Sequence, residues 1–153
     1  MTEEETMVCE IALTHASDEE VVDVLTRYKK VAVIGLSPKS ERASHRVAKY
    51  MMGNDYEIIP VNPMHDEILG KTSYASLLDI PGEVEVVDIF RKPNVVMEIV
   101  EQAIEKGAKV IWMQEGIVNN AAADRAREAG LKVVMDKCIL KEHTIMARSK
   151  EAE

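Results

Sequence analysis

The sequence predicts a doubly wound α/β fold, a single five-stranded parallel sheet with helices on both faces. Three observations predict it. Short runs rich in β-branched residues recur five times, helical patterns separate them, and the runs are apolar on both faces. Strands covered on both sides read this way, and right-handed crossovers lay such strands parallel.

The elements follow in order. Ser17 and Glu20 match a capping box, after which Val21, Val22, Val24, Leu25 and Tyr28 share one face of an opening helix. VAVIGL from Val31, YEIIPV from Tyr56, VEVVDIF from Val84, KVIWMQ from Lys109 and LKVVMD from Leu131 are the five strands. Helices are expected at Ala43 to Met52, briefly at Tyr74 to Leu78, at Pro93 to Lys106 and at Asn119 to Ala129. Gly107 and Gly130 stop the last two, and Pro93 opens the third. For five strands the nucleotide-binding order 3-2-1-4-5 is preferred, with 2-1-3-4-5 as the alternative.

At 153 residues the chain suits one domain. Residues 1–16 are read as an N-terminal segment, extended or partly disordered, 17–147 as the domain and 148–153 as a tail. No apolar run approaches the ~20 residues of a membrane span. The acidic start lacks the pattern of a secretory signal, so the cytoplasm is expected. Cys9 and Cys138 show no ligand or disulfide spacing and are expected to be free thiols. A net charge of -8 argues against a nucleic-acid partner, since polyanion binding relies on Lys and Arg. No metal site is expected.

In open α/β sheets, ligands bind beyond the carboxyl ends of the strands, where strand order reverses. In this acidic chain the loops at those ends carry Lys39, Arg42, Lys71, Arg91, Lys92 and Lys137. The first, GLSPKSERAS, follows Gly35 with Ser37, Lys39, Ser40, Arg42 and Ser44 and then starts a helix, a combination suited to an anion. It reads equally as a serine-capped turn. In the second, Val61, Asn62 and Pro63 could face a sugar or base, or form an ordinary bend. In the third, Phe90 could pack on a flat base while Arg91 meets a phosphate. Phe90 as core and Arg91 as a solvated cap is the other reading. Gln114 and Gly116 end the fourth strand at the expected switch point, whereas Trp112 is assigned to the core. GxGxxG, GxxxxGK[ST] and an acid after the second strand are all missing, which argues against a dinucleotide-dependent dehydrogenase.

GLSPKSERAS, PVNP with a later LGK, VDIFRKP, VIWMQEGI, AGLKVVMDKC and the closing KEH together resemble the small stand-alone coenzyme A-binding proteins, which are similar to the nucleotide-binding domain of the succinyl-CoA synthetase α subunit. The match runs from about Val21 to His143. The resemblance implies a Rossmann-like fold in which coenzyme A or acyl-CoA lies at the carboxyl edge of the sheet. Its phosphates would be held by the first loop, the VNP and FRKP loops would flank the nucleotide, and the WMQEG loop would approach the pantetheine. Carried over by position and joined to the loop reading, the cofactor-binding set is Gly35, Ser37, Lys39, Arg42, Ser44, Val61, Asn62, Pro63, Lys71, Phe90, Arg91, Lys92, Gln114 and Gly116. A non-catalytic binding, carrier or sensor role is expected, with a second copy of the chain or a ligase subunit as macromolecular partner. No catalytic residue is assigned. The alternative is a thioesterase, acyl transferase or thiol-exchange enzyme using Cys138 near His143; a half-buried thiol acting as a small hydrophobe is the simpler reading.

Overall fold

The computed structural model describes residues 10–152; residues 1–9, which include Cys9, and Glu153 lie outside the described part. Among the described residues, seven strands and five α-helices follow in the order α1 (Asp18–Arg27), β1 (Lys30–Ile34), α2 (Ala43–Met52), β2 (Glu57–Val61), β3 (Glu67–Ile68), β4 (Lys71–Thr72), β5 (Val86–Ile89), α3 (Val96–Lys106), β6 (Val110–Met113), α4 (Asn120–Glu128), β7 (Lys132–Met135) and α5 (Ile139–Ala152). The five longer strands form one parallel sheet in the order β2-β1-β5-β6-β7, and β3 and β4 form a separate antiparallel pair.

Taken alone, the five strands read 2-1-3-4-5. The nucleotide-binding pattern 3-2-1-4-5 is present as well, carried by a third strand reduced to one residue. Tyr74 bridges Val61 in parallel outside β2, donating to Pro60 O and accepting from Asn62 N. Counting that rung, the order is 3-2-1-4-5 followed by a sixth strand. The expected short helix at Tyr74 to Leu78 is absent. Tyr74 is extended, and only a 3-10 turn, Leu77–Asp79, follows the Ser76 cap. Ile80 stands before Pro81, which disfavours helical backbone and ends the turn.

Alternation along each strand divides the apolar side chains between two cores. Val31, Val33, Val86, Val110, Trp112 and Val134 meet α1, α2 and α5 on one face. Ala32, Ile34, Val87, Ile89, Ile111, Met113 and Val133 meet α3 and α4 on the other. Trp112 is fully buried, and its indole N–H donates to Lys137 O. Residues 10–14 are tied to α4: Asn120 donates to the Glu10 carboxylate and to Ile11 O and accepts from Leu13 N, while Arg127 donates to Thr14. α5 continues through the expected tail and is held to α2 by the His143 ring against the Tyr50 hydroxyl. Among the described residues no helix is long and apolar enough to cross a membrane.

Candidate functional site

The carboxyl ends of β1 and β5 lie side by side, and the chain reverses its direction of travel across the sheet between them. Gly35 makes that approach feasible. Its φ is +87°, and a Cβ there would stand 2.6 Å from Phe90 O and 3.0 Å from Arg91 Cδ. A side chain would therefore meet backbone as well as a strained φ.

Beside Gly35 opens a cleft of about 540 Å³ on the α2 face, lined by Ser37, Lys39, Arg42, Ser44, Asn62, Met64, His65 and Phe90 among others. The loop that forms it is built by its own serines. Ser37 N donates to Ser44 Oγ at 3.0 Å, and Lys39 N donates to Ser37 Oγ at 3.1 Å. His45 Nδ1 lies 3.0 Å from Ser37 O. These bonds turn the chain into α2, whose N-cap is Arg42, without a side-chain cap and with no acid in the first turn. The first-turn amides of α2 and their dipole thus border the cleft uncompensated. Among the described residues neither Lys39 nor Arg42 has a carboxylate within 4.0 Å, although most ion pairs elsewhere join exposed side chains.

Asn62 fastens the second loop to the first. Its Nδ2 donates to Leu36 O at 2.9 Å and its Oδ1 accepts from Met64 N at 2.9 Å. Phe90 forms the wall opposite and packs on the α2-side core. Arg91 lines a neighbouring cleft of about 200 Å³ with Val61, Pro63 and Glu98, its stem against Gly35. Lys92 is exposed at the start of the following 3-10 turn. Lys71 is placed apart from this group, lining a third cavity with Lys30 and Glu57 near the amino ends of β1 and β2.

Gln114, just past β6, is almost fully buried, and its Nε2 donates to Asp88 Oδ1 at 2.6 Å. Asp88 is 1% exposed; burial pushes its pKa up to about 7, with the Gln114 bond acting in the opposite direction. Gly116, at φ +84°, donates its N–H to Asp136 Oδ1 at 2.7 Å, tying this loop to the one after β7. Asp88, Met64 and His65 stand beside these residues and are not in the set expected from sequence. An aspartate within the apolar run VVDI was a readable signal for the first.

Cys138 is half-buried beside the α2-side core. Its thiol makes no hydrogen bond to an imidazole or carboxylate among the described residues. His143 lies between the rings of Tyr50 and Tyr56, with Nδ1 2.8 Å from the Tyr50 hydroxyl. No group of three or more potential metal ligands occurs among the described residues.

A larger groove of about 900 Å³ lies elsewhere, between residues 14–17, α1 and β7. Glu19, Glu20 and Asp23 line it, and Lys132 is already paired with Asp23, so it suits an anion poorly.

Comparison with known proteins gives a consistent picture. The family model described as CoA binding domain matches residues 29–144. An uncharacterized protein of Bacillus subtilis (strain 168), YneT, is 40% identical over 133 residues, which cover 87% of this chain and 98% of that one. The ADP-forming acetate–CoA ligase I of Archaeoglobus fulgidus is 32% identical over 121 residues, covering 72% of this chain but 18% of the ligase. Among solved structures, a hypothetical protein from Pyrococcus horikoshii OT3 superimposes with a TM-score of 0.85 at 46% identity, covering 90% of this chain and 97% of its own. A Thermus thermophilus structure follows with a TM-score of 0.81 at 32% identity, covering 86% and 99%.

Proposed function

Because the chain belongs to the family of CoA-binding domains, we propose that it binds coenzyme A or an acyl-CoA in the α2-face cleft, as a carrier or sensor without chemistry of its own. One observation carries this reading: within an acidic protein, Lys39, Arg42 and the uncapped start of α2 converge on one cleft, and no carboxylate among the described residues lies within 4.0 Å of either side chain's charge. A ligand bearing several phosphates supplies the missing charge.

In this reading the phosphates sit at Ser37 to Ser44 and the base against Phe90, while Arg91 reaches over from the adjoining cleft. Gln114 and Gly116 lie on the side toward which the pantetheine would run. Asn62 and Ser44 act indirectly, by fixing the loops, since their polar atoms already hold backbone groups. Lys71 stands too far along β2 to join them. Ligation is not part of the proposal, because the chain spans less than a fifth of the ligase just described. A separate ligase subunit or a second copy is the macromolecular partner this kinship suggests, and co-purification tests it.

Calorimetric titration with coenzyme A, NAD and ATP decides the main point. Coenzyme A should bind tightest. Tighter binding of NAD, or no binding of coenzyme A, would overturn the proposal.

A further inference from the structure

We propose that Asp88 is a positioning residue, whose carboxylate turns the Gln114 –NH2 into the sheet and leaves Gln114 Oε1 as acceptor for an amide N–H of the pantetheine arm. This rests on the coenzyme A reading above and extends it to a residue that the binding set did not contain.

The placement comes from strand alternation. Phe90 lines the anion cleft and packs on the α2 side, and Asp88, two residues earlier, faces the same way. Gln114 has the same parity as Trp112, a member of that core, and its backbone N–H donates to Ile89 O. Gln114 therefore stands one strand further from the phosphate loop than Phe90, about 5 Å along the sheet, while Asp88 lies on β5, the strand leading to Phe90, two residues before it. A chain leaving the cleft past Phe90 toward β6 meets Gln114 next.

The hydrogen-bond inventory supplies the chemistry. Gln114 has a donor end and an acceptor end, and a carboxylate can only accept. The Nε2 to Oδ1 bond at 2.6 Å therefore sets the amide's direction. Neither Gln114 Oε1 nor Asp88 Oδ2 accepts a bond from any described group, yet no fully buried side-chain polar atom among the described residues lacks a partner. Neither oxygen is fully enclosed, and Gln114, at 3% exposed against 1% for Asp88, is the more accessible residue. An amide oxygen with no partner suits an N–H donor. The pantetheine arm carries two secondary amides, whereas adenosine 3′,5′-bisphosphate, the nucleotide end alone, has no such arm.

Titration of the full chain at pH 8 with coenzyme A and with adenosine 3′,5′-bisphosphate separates the possibilities. Asp88→Ala should weaken coenzyme A by about 3- to 10-fold, the size of one hydrogen bond, and leave the bisphosphate within about twofold. The bisphosphate thus also reports that the variant is folded. Asp88→Asn, which keeps an acceptor at Oδ1, should bind coenzyme A as the parent does. Gln114→Met should reproduce the Asp88→Ala loss, and the double variant should lose no more than Gln114→Met alone. Equal weakening of both ligands, additive losses, or full coenzyme A affinity in Asp88→Ala would overturn the assignment. A parent protein that binds neither ligand would instead remove the coenzyme A reading itself, and this inference with it.

Discussion

Asp88→Asn should make the protein more stable at pH 8 and leave it nearly unchanged at pH 4. The carboxyl's pKa rises from 3.8 to about 7 in the folded chain because burial disfavours the ionised form. A group raised in this way contributes stability that is complete below the unfolded pKa and is lost as pH climbs through the folded one. Each unit corresponds to 1.36 kcal/mol, so ionisation of Asp88 costs about 4 kcal/mol once the pH is above 7. Asparagine keeps the acceptor for Gln114 Nε2 and has no charge to bury. Its own desolvation does not vary with pH, so the informative quantity is the difference between the two proteins as a function of pH. Urea unfolding followed by the emission of Trp112, the sole tryptophan and fully buried, measures it. The variant's advantage should grow steadily from pH 4 to pH 8, with most of the change at and below pH 7. Parallel curves for the two proteins, or an advantage that shrinks as pH rises, would refute the argument.

Other substitutions test the cleft and its scaffold. Gly35→Ala combines a φ of +87° with a contact at 2.6 Å to Phe90 O, and should lower stability by about 1–3 kcal/mol or more and abolish coenzyme A binding; near-parental unfolding would contradict the packing described. Arg42→Ala should weaken coenzyme A by about 10- to 100-fold through loss of a charge-assisted bond, with an unchanged unfolding midpoint, and the parent's affinity should fall as salt rises. Calorimetry across a salt series reads both. Tyr50→Phe removes the partner of His143 Nδ1 and should cost about 1 kcal/mol. Burial first, then the Lys29 and Lys150 charges, hold the His143 imidazole below its usual pKa of 6.5. Its contribution to stability is therefore present above 6.5 and lost as pH falls through the folded value. A His143→Gln variant should lack that acid-side loss in unfolding titrations.

Period and punctuation were enough to read most of the fold. The capping box at Ser17, the helices from Ala43 and after Pro93, and all five parallel strands follow from local pattern, because each buries a continuous face. Tyr74 was misread because one extended rung has no period of its own, and its partners lie on β2. The loops that flank the switch point were legible as a set. What their side chains do was not, because the partner of a polar group is fixed by space. Asn62 and Leu36 are 26 positions apart, as are Asp88 and Gln114. Lys71 is grouped with the cleft by sequence and separated from it by the antiparallel β3–β4 pair, which returns the chain to the amino-terminal half of β2 before the Tyr74 rung.

The contact between Gly35 and Phe90 O also bears on how such a protein can diverge. Two backbones from opposite halves of the chain touch there with nothing between them, so selection has almost no latitude at the hinge of the crevice. Novelty in ligand preference has to accumulate in the exposed borders, Lys39 to Arg42 and Met64 to His65, where replacement leaves the sheet undisturbed. The close-packed pivot and the exposed rim are thus separate stretches of polypeptide, so rim residues can be replaced without rebuilding the scaffold.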